Sequence, residues 1–372
     1  MRSLHRPHLG APVHVGTNVR PFCGATPDDA DGAQSSLIGG LLGVTGRGPR
    51  PCWELSRNRS KADRGEPPTL LTMTAISIVG VPSSAGSYAA GQDQAPTALR
   101  SAGLVDALRA SGLEVQDEGD LPVQIWRPDR RNPRAQNVGE VTESVRDLIE
   151  RLIPLLARGD LLLVLGGNCT VALGVVAAMS RVSADPVGLF YVDRNYDLNT
   201  PESTTDGALD WMGMAHALAL PGSLDVLVDV LGPRPLLQPT QVAWVGIEDR
   251  LATEWERAEA RRLGLHVIAS DALAHDPVSS AVDSLEHLPS GPMAVHLDVD
   301  VLDFIDAPLA ENTDGRNSGP TLDQVAVTLR IAAQDPRFRS LSIGELNPTR
   351  SAGDPETIPR FIASVVSIIS GA

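Results

Sequence analysis

From residue 73 onward, short runs that are apolar on both faces alternate with longer amphipathic stretches, and few architectures accommodate that alternation. The runs at 76–81, 161–165, 187–192, 242–247, 266–269, 294–299 and 341–345 have strand length and no polar face. Helical patterns fall between them, near 96–110, 141–157, 171–179, 253–263, 279–285, 322–333 and 359–369. Strands lacking a polar face must be covered on both sides, and strands separated by helices pair in parallel. The pattern predicts an α/β fold with helices on both faces of a parallel sheet. In such sheets a ligand site gathers just past the carboxyl ends of the strands. Residues 73–372 show no internal repeat and no second domain.

Residues 1–72 behave differently. They are rich in Arg, Gly, Pro and Ser and carry neither helical nor strand periodicity, so we read them as a disordered extension. Met73 opens a clean strand pattern at 74–82, which leaves two accounts of the extension: a start codon assigned too early, or a transit or regulatory tail. The charge divides at the same place. Residues 1–72 carry a net +3 and the remaining 300 a net −18, within a total of −15 for 372 residues. An acidic body argues against a nucleic-acid partner and is compatible with a small cationic substrate. No apolar run is long enough to span a bilayer. Of the three cysteines, only Cys169 lies outside the extension, so no disulfide framework forms within the domain and a cytoplasmic location is expected. The one lysine, Lys61, lies in the extension, which removes Walker-type phosphate loops, Schiff-base lysines and pyridoxal enzymes from consideration.

Three strand ends carry polar clusters. The first runs from Leu161 into Gly166-Gly167-Asn168-Cys169-Thr170, where an apolar strand breaks and a helix begins. The second places Asp193 and Asp197 directly after a buried strand, and the third places Asp298 and Asp300 on one face of another strand end. Either Asp pair alone is more often a helix cap or a solvated loop, and a lone cysteine is more often a small core residue. Four carboxylates converging on one rim, however, repel one another unless a counter-charge is present. A divalent cation is the simplest one, and hard oxygen ligands favour Mg, Mn or Ca over Zn. Cys169 joins this set because a helix N-terminus stabilises a thiolate.

The order of these motifs is specific. Gly-Gly-x-x-Thr is followed by Asp-x-x-x-Asp-x-Asn-Thr-Pro-Glu at 193–202, by Leu-Asp-x-Asp-x-Leu-Asp at 297–303, and by Glu-x-Asn-Pro at 345–348. This arrangement resembles the arginase and agmatinase (ureohydrolase) family over essentially all of residues 73–372, in the subtype with cysteine in place of the first metal-binding histidine. The resemblance implies a three-layer α/β/α fold with a mostly parallel central sheet of about eight strands. It implies two Mn²⁺ ions, with one or none as alternatives, and a metal-held hydroxide that attacks a guanidinium carbon and releases urea or a derivative. By position, Asp193 and Asp298 would bridge both metals. Asp197 and Cys169 would complete one metal, and Asp300 and Asn195 the other. Glu345 falls where the family holds the guanidinium, and Asn199 where arginases contact the substrate's α-carboxylate. The implied partner is a small guanidino substrate, and the family is compatible with a homo-oligomer.

The departures from the pattern carry information too. The family supplies a histidine to each metal, and here Cys169 and Asn195 stand in those places. Some relatives tolerate the cysteine, but an amide oxygen at 195 is a weak neutral ligand, and Arg194 beside it brings positive charge. Asn168 replaces an acid. The proton-transfer histidine expected after the Asn-Thr-Pro segment is missing from 207–216, where Asp210 is either a proton carrier or a helix N-cap. His216 is an acid/base candidate weighed against a packed helix histidine, and His296 shares the parity of Asp298. The leading expectation is a hydrolase of C–N bonds in linear amidines. The alternative is a catalytically impaired homologue that keeps the fold for binding or assembly.

Overall fold

The structure, a computed structural model, describes residues 75–311 and 317–371. The extension at 1–72, expected to be disordered, lies outside the described residues. Eight strands form one sheet: β1 (Ile76–Gly80), β2 (Val115–Asp120), β3 (Leu161–Leu165), β4 (Gly188–Val192), β5 (Val242–Ile247), β6 (His266–Ala269), β7 (Met293–Asp298) and β8 (Phe338–Gly344). Their order across the sheet is β2-β1-β3-β8-β7-β4-β5-β6, and every pairing is parallel.

The reason is visible in side-chain parity. In β3, Leu162 and Val164 belong to one buried cluster, while Leu161, Leu163 and Leu165 belong to another on the opposite face. The first cluster is closed by α3 (Val138–Ala157) and α4 (Val171–Val182), which contribute Val141, Leu148, Leu152 and Val175. The second is closed by α1 (Ala95–Ser101), α2 (Leu104–Ala110), α10 (Leu322–Gln334) and α11 (Thr357–Ser370), which supply Leu99, Leu104, Leu329 and Phe361. Each leucine removed from water contributes roughly 1.5–3 kcal/mol, so neither face of the central strands can be left open. Among the described residues, no helix is long and apolar enough to cross a membrane.

One expectation needed correction, and one strand had not been expected. The helical stretch near 96–110 is two helices, because Gly103 adopts a left-handed φ of 92° between them. Strand β2 had no apolar signature at all. Its sequence Val115-Gln-Asp-Glu-Gly-Asp120 buries only Val115, as suits an edge strand, and Arg100 tethers Asp117 at 2.8 Å and Asp120 at 2.5 Å.

Candidate metal centre

The four middle strands of the sheet, β3-β8-β7-β4, are neighbours, and each ends in residues singled out by the sequence. Cys169 follows β3, Glu345 follows β8, Asp298 and Asp300 close β7, and Asp193 and Asp197 follow β4. The chain can bring these ends together because Gly166 and Gly167 have no side chain. A Cβ on Gly167 would lie 1.7 Å from the Ser83 carbonyl oxygen, and one on Gly166 would lie 2.4 Å from that of Ile343. Gly344 serves likewise, since a Cβ there would come within 2.9 Å of the Cys169 sulfur.

Strands β4 and β7 end in the same local device. Asp193 Oδ1 accepts from the Asn195 backbone N–H at 2.6 Å, and Asp298 Oδ1 accepts from that of Asp300 at 2.7 Å. Each is an aspartate folded onto the backbone two residues on, which turns the chain and fixes the carboxylate. The second oxygen of Asp298 accepts from the Cys169 thiol at 2.8 Å. Asp193 Oδ2 and Asp300 Oδ1 are buried and meet no hydrogen-bond donor among the described residues. Ligand atoms of Cys169, Asp193 and Asp298 all lie within 4.8 Å of one another. Asp197 has φ 56° and Glu345 has φ 62°, conformations that cost roughly 1–3 kcal/mol and persist only where surrounding contacts enforce them.

Burial pushes the carboxyls of Asp193, Asp197, Asp298 and Glu345 well above the usual carboxylate range. Neighbouring negative charge adds to it, from Asp300 on Asp193 and Asp298, from Asp193 on Asp197, and from Asp210 on Glu345. Burial raises Asp300 as well, with Arg194 opposing. The Cys169 thiol is raised by burial and then by Asp298. Orphaned oxygens, crowded carboxyls and a thiol within reach of them form a donor set that fits divalent cations, which reverse this preference for the neutral forms.

Above these residues opens a cavity of about 450 Å³, lined by Tyr88, Asp206, Asp210, Trp211 and Leu251 together with the centre itself. Glu345 sits at its side with both oxygens engaged. Oε1 accepts from the Cys169 backbone N–H at 3.1 Å, and Oε2 from the Gln92 amide at 2.9 Å. Asp210 lines the cavity, accepts from the Trp211 backbone N–H at 2.9 Å, and is pushed up to about 7 by burial. It is the first residue of a short 3-10 turn at Asp210–Met212 whose N-cap position is Leu209, and no side chain caps that turn. Asn195 lines the cavity half-buried, and its amide donates to Asp300 Oδ2 at 3.0 Å.

Other candidates fall elsewhere. Asn199 does not line the cavity; it is fully buried, and its Oδ1 accepts from Ser203 at 3.1 Å and Thr253 at 3.0 Å, which braces the loop. Its Nδ2 meets no hydrogen-bond acceptor among the described residues. His216 is buried in α5 (Gly213–Ala217), bonded to the Met212 carbonyl at 2.6 Å and lowered to about 4 by burial, which makes it a packed helix histidine. Asn168 caps the turn into α4 by accepting from Thr170. The charge of Arg194 is met by Glu248 at 2.8 Å.

His296 is buried directly behind Cys169, with Nε2 at 3.3 Å from the sulfur. Two residues escaped the sequence reading. Tyr191 donates to Asp197 Oδ2 at 2.5 Å; it lies two residues before Asp193 on the same strand face, a parity that could have revealed it. Gln92 opens a three-residue 3-10 turn, Gln92–Gln94, too short to leave a periodic signal.

The family model described as the arginase family matches residues 74–368. An arginase from Bacillus caldovelox is 28% identical over 241 residues, covering 63% of this chain and 79% of the relative. Human arginase-1 is 27% identical over 305 residues, covering 79% of this chain and 91% of that protein. The solved structure of the Bacillus caldovelox arginase superposes with a TM-score of 0.70 at 24% identity, covering 80% of this chain and 98% of the other, and so shares the fold.

Proposed function

The chain belongs to the arginase family, and from that premise we propose that it is a manganese-dependent amidinohydrolase acting on a cationic guanidino compound. The observation that carries this reading is the convergence of Cys169, Asp193 and Asp298 ligand atoms within 4.8 Å, with Cys169 and Asp298 lining the cavity. Asp193 and Asp298 would bridge two ions, with Cys169 and Asp197 completing one position and Asp300 and Asn195 the other. When bound, two Mn²⁺ ions would lower the pKa of a held water, so that it attacks the guanidinium carbon as hydroxide, and would stabilise the tetrahedral intermediate.

The chain's own groups do the rest. Glu345 retains lone pairs beyond those taken by Cys169 and Gln92, and these receive the guanidinium N–H groups as a charge-assisted pair. Asp210, titrating near 7, carries a proton to the leaving nitrogen as the C–N bond breaks, so that water and substrate become urea, or a derivative, and an amine. Tyr88, Trp211 and Leu251 give the connecting chain of the substrate an apolar wall. Six carboxylates and no Lys, Arg or His are among the described residues lining the cavity. Asp197, Asp298 and Asp300 would face the ions and Glu345 the guanidinium, so the lining offers no basic side chain to a substrate carboxylate, which favours a guanidino amine over a guanidino acid.

The alternative, an impaired homologue, is favoured by one observation: the Asn195 amide donates to Asp300. The deciding experiment is to load the protein with Mn²⁺, measure metal per chain, and assay urea and hydroxyurea release from guanidino amines and guanidino acids. Two equivalents with release from an amine supports hydrolysis. Failure to hold any metal, or two equivalents with silence across the panel, would sink it.

A further inference from the structure

We propose that Tyr191 and His296 are positioning residues which make the Cys169–Asp197 metal position fill first and the Asn195–Asp300 position second. The inference rests on the metal reading above and deepens it.

Tyr191 on β4 and His296 on β7 are register partners on adjacent strands. Their rings stack, with centroids 5.1 Å apart and planes 18° off parallel, and both are at most 1% exposed. This stacked pair lies beneath the strand ends, and each polar tip reaches a different candidate ligand. The Tyr191 hydroxyl donates to Asp197 Oδ2, while His296 Nε2 faces the Cys169 sulfur. The imidazole is itself anchored, since Nδ1 lies 2.9 Å from Ser342 Oγ on β8. A neutral imidazole with its proton on Nε2 can donate to a thiolate while Nδ1 accepts from the Ser342 hydroxyl.

Both ligands so held would belong to one metal position, where an arriving ion takes the place of the proton that the Cys169 thiol gives Asp298. Partners of this kind are typically worth 10–100-fold in metal affinity. Among the described residues, no stacked ring pair stands behind the other position. Asn195 is half-buried at the cavity wall, and its amide is turned toward Asp300. The imidazole absent from position 169 is thus present one layer below it, where it orients the sulfur instead of binding the ion.

The test is stepwise titration of the metal-free full chain with Co²⁺, followed by near-ultraviolet sulfur-to-cobalt charge transfer and by calorimetry. The expected result is a charge-transfer band that rises with the first equivalent and is complete before the second binds. Tyr191→Phe and His296→Gln should each weaken the first step by about 10-fold and spare the second. His296→Gln should also shift the energy of the band, which a purely structural role would not do. Should His296→Gln fail to fold, Tyr191→Phe still decides, because it removes a single hydroxyl. A band that grows only with the second equivalent, or variants that weaken both steps alike, overturns the ordering while leaving two-metal binding intact. Absence of any Co²⁺ binding removes the metal reading together with this inference.

Discussion

The Cys169 side of the centre and the Asn195 side share the Asp-x-Asx turn that closes β4 and β7, yet they are supported by different material. On the Cys169 side the candidate ligands rest on buried side chains: Tyr191 under Asp197, His296 under the sulfur, and Ser342 under His296. On the Asn195 side the neighbouring support is an ion-pair cluster, in which Arg194 and Arg250 share Glu248, with Arg250 more than half exposed. Two substitutions that look equivalent in the sequence, each replacing an expected histidine, therefore differ in consequence. One is compensated by an imidazole a layer down; the other is exposed to the cavity with an amide alone.

The largest effect comes from removing what the two sides share. Asp298 contacts the Cys169 thiol through one oxygen and the Asp300 backbone through the other. Asp298→Asn should release metal from both positions and cut kcat/KM by more than the roughly 100-fold expected from losing an outer partner. If one equivalent remained bound at native affinity, the two sides would be independent sites and the contrast between them would lose its meaning. A narrower effect is expected from Asn195→His, which restores an imidazole to the weaker side. Affinity at the second step should rise by about 10–100-fold with the first step unchanged, as read by calorimetry. An unchanged second step would mean that residue 195 does not face the metals.

Legibility followed the same division. Every strand that is buried on both faces announced itself, because a parallel sheet between two helical layers is filled mostly by apolar side chains. The carboxylates were legible for the converse reason: Asp193, Asp197, Asp298 and Asp300 interrupt apolar strands at their ends, where a polar side chain needs a purpose. Strand β2 was invisible, since an edge strand with one buried residue out of six reads as loop. Tyr191 was hidden because a tyrosine within a buried strand resembles core, and only its hydroxyl bond to Asp197 separates the two. Gln92 was hidden because it reaches Glu345 across 253 residues of sequence from a 3-10 turn of three residues. Asn199 stands apart from the cavity lining because tertiary packing turns its amide oxygen toward Ser203 and Thr253, which a motif position does not reveal.

The smallest effect separates both sides of the centre from the cavity wall, and it is a dependence on pH. Burial pushes the Asp210 carboxyl from its ordinary 3.8 up to about 7. Below the ordinary value, the group is neutral whether the chain is folded or not, and it costs the fold nothing. Between the two values the unfolded chain has released its proton while the folded chain keeps it, and above about 7 the folded chain must hold a buried negative charge. The stabilising contribution of the protonated group is therefore lost as pH rises through the folded value. Asp210→Asn removes the ionisation, so its stability advantage over the native chain should grow between about pH 4 and pH 7 and then level off, reaching about 1–4 kcal/mol. Urea unfolding of metal-free samples across that range measures the gap. A gap that stays flat with pH would mean that Asp210 ionises as it does in water, and a carboxyl already ionised at neutral pH has no proton to give the leaving nitrogen.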